Sequence, residues 1–421
     1  MRIALAFPDL QRDRPEDFLH QASSLKDKPD LLVLPENAYT ITGETIDQLT
    51  TLSSKIQAFA NQTGIGLIAG VGVGGTAGTR LTWLHTDNWA LMAKPGEAVP
   101  LIYHKHTASL RTAFDDKDWS EVRTLPLFEL KGERIALGVN QDISLSPLYR
   151  RQACDGASLL INISHANMRP ALWRSQLQAH AVTNGLTVLG VAHRDTASGR
   201  PQRAIYAMGP QGEFNLLSAR GARALQELEA KQRTGQLYLH DTKNPVLKAG
   251  ISLMASRQDW EGNASVSREG IVQGKHRQFK TITAALPVFL HQPELLWGAA
   301  LKLPLGVIPA FRILTTQAEY AAQRAAVQAV AVARVAEFGA IAVFQDTQRP
   351  LAVCYQGPRQ AFFSEATGGG RLLAIDESSL QGPSRTLELI NSTGEEGNNA
   401  MTQRNFRNLV RRLTGAHALV Q

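Results

Sequence analysis

Three polar residues among the first 140 stand just after apolar segments. Glu36 follows the apolar run Asp30–Leu34, Asn140 follows Ile135–Val139, and Lys105 ends a third such run. A carboxylate can act as a general base and an ammonium group can stabilise an oxyanion, so a glutamate and a lysine held together suit chemistry at a carbonyl carbon. That chemistry also needs a nucleophile. Asn140 is not one, because its amide nitrogen is delocalised into its own carbonyl group.

The segment around Asn140 predicts a strand–helix–strand unit. The apolar strand Ile135–Val139 leads into the polar residues Asn140–Asp142, which we call the elbow, and a helix is predicted over about 147–154. Gly156 ends that helix, and Ser158–Ile163 predicts a second apolar strand. In open α/β sheets ligands bind at the carboxyl ends of the strands, so the elbow lies where chemistry is usually done.

The remainder of the first 240 residues alternates strand and helix patterns, with hairpins added. Strands are predicted at Ile3–Phe7, Asp30–Leu34, Gly66–Val73, Trp83–Ala93, Ala98–Lys105, Thr187–Ala192, Ala204–Met208 and Glu213–Leu217, and helices at Pro15–Ser24, Glu44–Thr63 and Leu172–Asn184. This pattern indicates the α/β class and a sandwich of two sheets covered by helices.

A glycine-rich stretch, Gly70–Gly75, admits two interpretations. Gly70, Gly72 and Gly75 fall in the G-x-G-x-x-G register of a phosphate-binding loop. A polar stretch and another strand-like run follow, however, and not the helix whose N-terminus would hold a phosphate. A strand end lined by glycines is therefore the favoured interpretation.

The order of three short segments resembles the nitrilase superfamily of carbon–nitrogen hydrolases. These segments are Pro29–Tyr39 with Glu36, Tyr103–Lys105, and Gly138–Asp142. Members of that family carry a Glu–Lys–Cys triad at these three places. The resemblance runs from Met1 to about Leu239 and includes the Arg150 to Ala157 passage and the turn at Pro210–Gly212.

The resemblance implies a nitrilase-type αββα sandwich, with Glu36 as general base and Lys105 as the cation that stabilises the tetrahedral intermediate. It also implies a small amide or nitrile-like ligand, a homodimer, and no cofactor or metal. The alternatives without a catalytic role for Glu36 and Lys105 are a buried ion pair or two solvated strand ends.

Asn140 stands where the family carries its nucleophilic cysteine, which closes the acyl-enzyme route. An asparagine there could donate a hydrogen bond to Glu36 and accept one from Lys105. Two functions stay open. The first is a carbon–nitrogen hydrolase scaffold for a non-peptide C–N bond, inactive as written through a natural or an engineered substitution. The second is a catalytically silent pseudoenzyme that serves as a binding or assembly module.

No other residue replaces the missing nucleophile. Cys154 lies at the far end of the predicted helix, about 1.5 Å per residue away from the elbow, and we expect it to be a buried structural thiol. Ser144 and Ser146 are nearer but have no recognisable base. Asp115 and Asp116 are candidates for a second active-site carboxylate, and an exposed acidic loop explains them equally well.

Two further positions depart from the family. Members commonly have an acidic residue within A-x-E-N-G, where this chain has Thr183 in Ala181–Gly185. They also carry Gly-x-Ser before the turn at Pro210, where it has Arg203–Ile205.

Composition is that of a globular protein of ordinary type. The 421 residues include 44 Lys and Arg against 37 Asp and Glu, which gives a net charge of +7 and a pI near 9.5. Such a balance suits an acidic partner only where the charge is clustered. The one modest cluster, Arg404–Arg412, is explained at least as well by a solvated helix face, so no nucleic acid partner is expected.

The cysteines and the apolar runs bear on the compartment. Cys154 and Cys354 form no Cys-x-x-Cys or Cys/His spacing, so neither a disulfide framework nor a zinc site is indicated. The chain opens on a strand-like run and not on a signal peptide, which predicts a cytoplasmic protein. The run Leu295–Phe311 is interrupted by Lys302 and two prolines, so no membrane span is expected.

Three regions are predicted along the chain. Residues 1–243 form the hydrolase-like domain, 244–280 a linker or extended arm, and 281–421 a smaller C-terminal α+β region of unknown role. Within the last, a helix is predicted from Thr316 to Phe338, opened by a Thr316/Glu319 capping box and closed by Gly339. Further elements are predicted at Ala340–Phe344, Leu351–Tyr355, Gln360–Phe363 and Arg371–Ile375, the last three as a meander, and at Met401–Thr414 as a helix.

Overall fold

The computed structural model describes most of the chain. The described residues are 1–9, 12–41, 46–73, 87–105, 125–165, 170–193, 205–219, 234–245, 264–267, 269, 271–274, 277–300, 302–304, 306–347, 349–356, 361–365 and 374–375. The predictions for Asp115, Asp116, Arg203, Arg404–Arg412 and Met401–Thr414 lie outside these residues.

Strands and helices alternate through the first 241 residues. Up to His104 they are β1 (Arg2–Phe7), α1 (Pro15–Ser24), β2 (Leu31–Val33), β3 (Tyr39–Ile41), α2 (Ile46–Thr63), β4 (Gly66–Val73), β5 (Asp87–Ala93) and β6 (Leu101–His104). From Phe128 they are β7 (Phe128–Leu130), β8 (Glu133–Val139), α3 (Ser146–Cys154), β9 (Leu159–Ser164), α4 (Pro170–Asn184), β10 (Thr187–Ala192), β11 (Ile205–Gly209), β12 (Gly212–Glu213), β13 (Leu217–Ser218) and β14 (Gln236–Asp241).

These strands form two sheets. The first has eight strands in the order β13-β14-β1-β2-β4-β5-β6, with β3 against β4, and the second has six in the order β12-β11-β10-β9-β8-β7. Neighbours are parallel where a helix connects them, as β1 with β2 and β8 with β9, and antiparallel where a hairpin does, as β5 with β6.

The two sheets pack face to face, with helices on both outer surfaces. Leu5 and Val33 of the first sheet share one buried core with Leu137 and Ile161 of the second. On the outer side of the first sheet, Phe18 of α1 and other apolar residues of α1 and α2 form a separate core with β1, β2 and β4. Since α3 and α4 cover the second sheet, the predicted αββα sandwich is confirmed.

Two glycines are required by close approach of the backbone. A Cβ on Gly70 of β4 would collide with the backbone of Pro35 and Glu36, so glycine lets the turn at Glu36 lie directly on the strand. A Cβ on Gly138 would collide with the Tyr149 ring of α3. Gly70 and Gly72 lie within β4, which confirms the strand interpretation for these two, while Gly75 lies outside the described residues.

The C-terminal region forms two further sheets, one of three strands and one of five. Its elements are β15 (Ala264–Val266), β16 (Val272–Gly274), β17 (Phe279–Ala285), α5 (Leu286–His291), α6 (Pro293–Ala300), β18 (Ile308–Leu314), α7 (Gln317–Ala322), α8 (Arg324–Phe338), β19 (Ile341–Gln345), β20 (Pro350–Gln356), β21 (Ala361–Glu365) and β22 (Ala374–Ile375). A five-stranded sheet has the order β17-β18-β19-β20-β21, with β17, β18 and β19 parallel. We call residues 279–365 the C-terminal unit; helix pairs connect its parallel strands.

Several local predictions for this region need correction. The predicted meander is wrong in its last strand, because β22 pairs with β15 and not with β21. The predicted helix from Thr316 to Phe338 is two helices, α7 and α8, which are separated at Gln323. Its two ends are as predicted, with Thr316 accepting from the Glu319 backbone and Gly339 in the left-handed conformation at φ 59°.

The range 244–280, predicted as a linker or arm, contains β15, β16 and the start of β17 in its described part. The division of the chain into three regions otherwise stays a prediction.

The C-terminal unit packs on α4. Ala179 and Val182 of that helix belong to one apolar core with Val330 of α8, Trp297 of α6 and Phe289 of α5. Among the described residues no helix combines the length and the apolar character needed to cross a membrane.

Candidate active site

The structure brings the three predicted site residues together. Glu36 lies in the turn after β2, Lys105 directly follows β6, and Asn140 directly follows β8. The Asn140 Nδ2 atom donates to Glu36 Oε2 at 2.7 Å, and Lys105 Nζ lies 3.7 Å from Glu36 Oε1. The three residues therefore lie together, and the hydrogen bond that an asparagine at position 140 could donate to Glu36 is present.

Burial sets the proton affinity of Glu36. The side chains of Glu36 and Lys105 are 0% and 4% exposed, so the alternative of two solvated strand ends is wrong, whereas a buried ion pair describes the geometry well. Burial raises the pKa of Glu36 to about 7, and the charge of Asp142 acts in the same direction. The charge of Lys105 and the hydrogen bond from Asn140 oppose that rise in pKa. Near neutral pH the carboxyl can therefore both accept and release a proton.

Two histidines that sequence reasoning missed stand at the same edge. His193 follows β10 and His165 follows β9, and their ring centroids are 5.7 Å apart. The His193 Nε2 atom is 2.6 Å from the backbone oxygen of Glu36. Because a carbonyl oxygen only accepts, Nε2 carries the proton and donates it. The signal in the sequence was the one used for Asn140, a polar residue directly after a buried parallel strand.

Asn140 has a backbone conformation that suits its residue type. Its φ of 52° lies in the left-handed region, which asparagine adopts more readily than most residues. The Asn140 backbone oxygen accepts from Asn162 Nδ2 at 3.3 Å, and Asn162 Oδ1 in turn accepts from Trp173 Nε1 at 2.8 Å. These bonds connect the start of the elbow to β9 and α4.

The Asp142 side chain makes two buried hydrogen bonds at the elbow. Its Oδ2 atom accepts from the backbone nitrogen of Val139 at 3.1 Å and from the Tyr103 hydroxyl at 2.9 Å, with all of these atoms buried. The carboxylate thus joins β8 to β6, the strand that leads into Lys105. Asp142 is a support of the site that sequence reasoning placed in the elbow without assigning it a role.

Helix α4 holds the 3₁₀ turn Asn140–Ser144 that continues the elbow. Burial lowers the pKa of His180 to about 3, so its ring is neutral at pH 7. The His180 Nε2 atom donates to the Ile143 carbonyl at 2.7 Å, and Gln176 Nε2 donates to Ser144 Oγ at 2.9 Å. The turn is fixed along its length by these bonds.

Cys154 and Ser146, two of the alternative nucleophiles, differ from expectation in burial and in hydrogen-bond partner. Cys154 is exposed at the end of α3, so its prediction as a buried thiol is wrong. Helix α3 carries it about 12 Å beyond Ser146. Ser146 does have a carboxylate neighbour, because its Oγ atom donates to Glu337 Oε1 at 2.5 Å. Sequence reasoning missed this partner, which is 191 residues away in the chain.

The described part of the chain contains no group of three or more His, Cys, Asp and Glu residues placed to hold a metal ion.

The chain is similar to nitrilase-superfamily amidases. One is a cysteine-to-alanine mutant of the amidase from Nesterenkonia AN1, 20% identical, with a TM-score of 0.38 over 51% of this chain and 85% of that chain. A second mutant of the amidase from Nesterenkonia sp. AN1 shows covalent addition of the acetamide moiety of fluoroacetamide at its active-site cysteine. It is 18% identical, with a TM-score of 0.41 over 57% and 89% of the two chains. A complex of that amidase with butyramide gives the same values.

No protein-family model matches the chain, and no curated protein matches it.

Proposed function

We propose that this chain carries the pocket of a carbon–nitrogen hydrolase and holds a small amide-like ligand there without covalent turnover. The observation that carries the proposal is the 2.7 Å hydrogen bond from Asn140 to Glu36. It puts a neutral carboxamide beside the carboxyl group that, in the family resemblance, would take the proton of a thiol. Because an amide nitrogen does not attack a carbonyl carbon, no acyl-enzyme forms.

The remaining groups suit recognition of an amide. Lys105 offers an ammonium group to a ligand carbonyl oxygen, and Glu36, when ionised, accepts from a ligand N–H. In a chain with a thiol at position 140, the same two residues would serve as stabilising cation and general base. The chain thus keeps the residue types that hydrolysis of a non-peptide C–N bond needs at positions 36 and 105. It lacks the nucleophile that would attack the carbonyl carbon.

A binding or assembly module is the second candidate, and the residue at position 140 favours it. In that case the pocket supports the fold or a partner and takes no amide. The expected homodimer stays a prediction.

The experiment measures binding and turnover of the same ligand. Butyramide is the probe, its binding to the full chain is followed by saturation-transfer NMR, and ammonia release is assayed in parallel. We expect binding without ammonia release, and weaker binding for Lys105→Met, since the cation is removed. The control is Lys55→Met, which removes an exposed lysine paired with Glu16, and should bind as the parent does.

Two results contradict the proposal. Ammonia release that persists after the thiols are blocked would show turnover without a cysteine. Absence of binding to butyramide and to shorter primary amides would leave the binding or assembly module as the better reading of the pocket.

A further inference from the structure

Helix α3, which follows the elbow, begins without a capping side chain of its own. Its N-cap residue is Leu145, and no side chain of the cap accepts from the first turn. The first backbone N–H groups of a helix have no partner within the helix. Here the backbone nitrogen of Ser146 donates to Glu337 Oε1 at 2.9 Å, and Ser146 Oγ donates to the same oxygen. Glu337 lies on α8, so the C-terminal unit supplies the cap.

Glu337 is itself fully buried and tied to its own unit. Its Oε1 atom also accepts from Trp297 Nε1 at 2.9 Å, and its Oε2 atom accepts from Arg334 Nη1 at 2.8 Å. The Glu337 and Arg334 side chains are 4% and 2% exposed. A buried charge pair is tolerated only where further hydrogen bonds satisfy it, and removing one partner leaves the other charge uncompensated. The orientation of Glu337 toward Ser146 is therefore strongly fixed.

Arg334 extends the same network to α4. Its Nη2 atom donates to Thr183 Oγ1 at 3.2 Å, and the Thr183 hydroxyl donates to the Leu290 carbonyl at 2.8 Å. The C-terminal unit thus bonds to both α3 and α4, the two helices that hold the elbow.

Ser146 follows Asn140 by only six positions, so a restraint on Ser146 also restrains the backbone at Asn140. Between Asn140 and Ser146 the chain makes one 3₁₀ turn, Asn140–Ser144, and Leu145 N donates to the Asp142 carbonyl at 2.8 Å. We propose that Glu337 is a positioning residue of the site: by holding Ser146, it fixes the turn that aims the side chain at position 140 toward Glu36. The C-terminal unit then belongs to the framework of the site. This inference rests on the proposed function, since it concerns the same pocket.

The test uses the full chain carrying Asn140→Cys. The reactivity of the introduced thiol then reports the position of the side chain at residue 140. The rate of alkylation by iodoacetamide at position 140 is followed against pH. In this background Glu337→Gln should lower the rate at pH 7 by about tenfold and move the profile to higher pH, because a displaced thiol loses its place beside Lys105. Ser146→Ala removes one donor to Glu337 and should act in the same direction with a smaller effect.

The matched control is Val330→Ala, which removes a buried apolar side chain of α8 and leaves Glu337 in place. It should reduce stability and leave the pH profile unchanged. An unchanged profile for folded Glu337→Gln overturns the inference, and so does an equal change in Val330→Ala. If Glu337→Gln fails to fold, Ser146→Ala decides alone, and an unchanged profile there overturns the inference.

Failure of the proposed function is distinguishable. If neither butyramide nor shorter primary amides bind to the chain with Asn140, the proposed function fails. The positioning role is then read from the side-chain amide signal of Asn140 in protein labelled with 15N-asparagine. A signal shifted by Ser146→Ala but not by Val330→Ala supports the role, and one unshifted by Ser146→Ala overturns it.

Discussion

Removal of the hydrogen-bond donor at position 140 should raise the pKa of Glu36 above its already raised value. Burial gives this carboxyl a pKa of about 7, in spite of Lys105 and of the hydrogen bond from Asn140. A hydrogen bond to a charged acceptor contributes about 1.5–3 kcal/mol. One pKa unit corresponds to about 1.4 kcal/mol, so the expected rise in Asn140→Leu is about one to two units. Leucine has the same number and branching of side-chain heavy atoms as asparagine but offers no donor, so the variant removes the hydrogen bond while Glu36 stays buried.

The assay is a pH titration by NMR of protein labelled with 13C at the glutamate side-chain carboxyl. The Glu36 signal is assigned by its loss in Glu36→Gln. As a control, Lys55→Met removes an exposed lysine paired with Glu16 and not with Glu36, so it should leave the Glu36 pKa near 7. The reasoning is refuted if Asn140→Leu titrates as the parent does, or if Glu36 of the parent titrates near the ordinary 4.5.

Two further predictions concern stability. The folded state binds the Glu36 proton more tightly than the unfolded state, so the free energy of unfolding should fall as pH rises from about 4.5 to 7, by about 3 kcal/mol. In Glu36→Gln this fall is absent. Denaturant unfolding at several pH values should therefore show the free energy of unfolding of the variant, relative to the parent, rising by that amount between about pH 4.5 and 7. A difference that does not change with pH would contradict the prediction. Gly138→Ala should lower stability by about 1–3 kcal/mol, because the added methyl meets the Tyr149 ring. Thermal unfolding measures it against Gly298→Ala, whose Cβ meets nothing within 4 Å, and equal effects of the two would count against the packing argument.

Much of the sandwich could be predicted because buried strands and their helices leave a direct periodic pattern. The unit β8–α3–β9 was predicted to within two residues at the ends of its elements, since Ile135–Val139 is continuously apolar and Gly156 stops the helix. The strand-end rule placed Glu36 and Asn140 at the ligand-binding edge, and the family resemblance supplied their expected roles.

The rest depends on contacts between distant parts of the chain. Glu337 meets Ser146 across 191 residues, and no local pattern links a helix interior to that serine. β17 was missed because its residues are exposed or half-buried, so its sequence has neither the continuous apolar run of a buried strand nor a strict alternation. Cys154 was placed inside on residue type alone, whereas the end of α3 faces away from the core.

The most direct test of the central claim, that Asn140 occupies the nucleophile position of an otherwise intact pocket, is competitive labelling of the Asn140→Cys variant. Limiting iodoacetamide is added near neutral pH, and the labelled positions are mapped by mass spectrometry. Our account predicts that the introduced thiol reacts faster than the exposed Cys154, because Lys105 favours the thiolate, and that Cys354 reacts slowest, because burial raises its thiol pKa. Labelling at position 140 no faster than at Cys154 would contradict it.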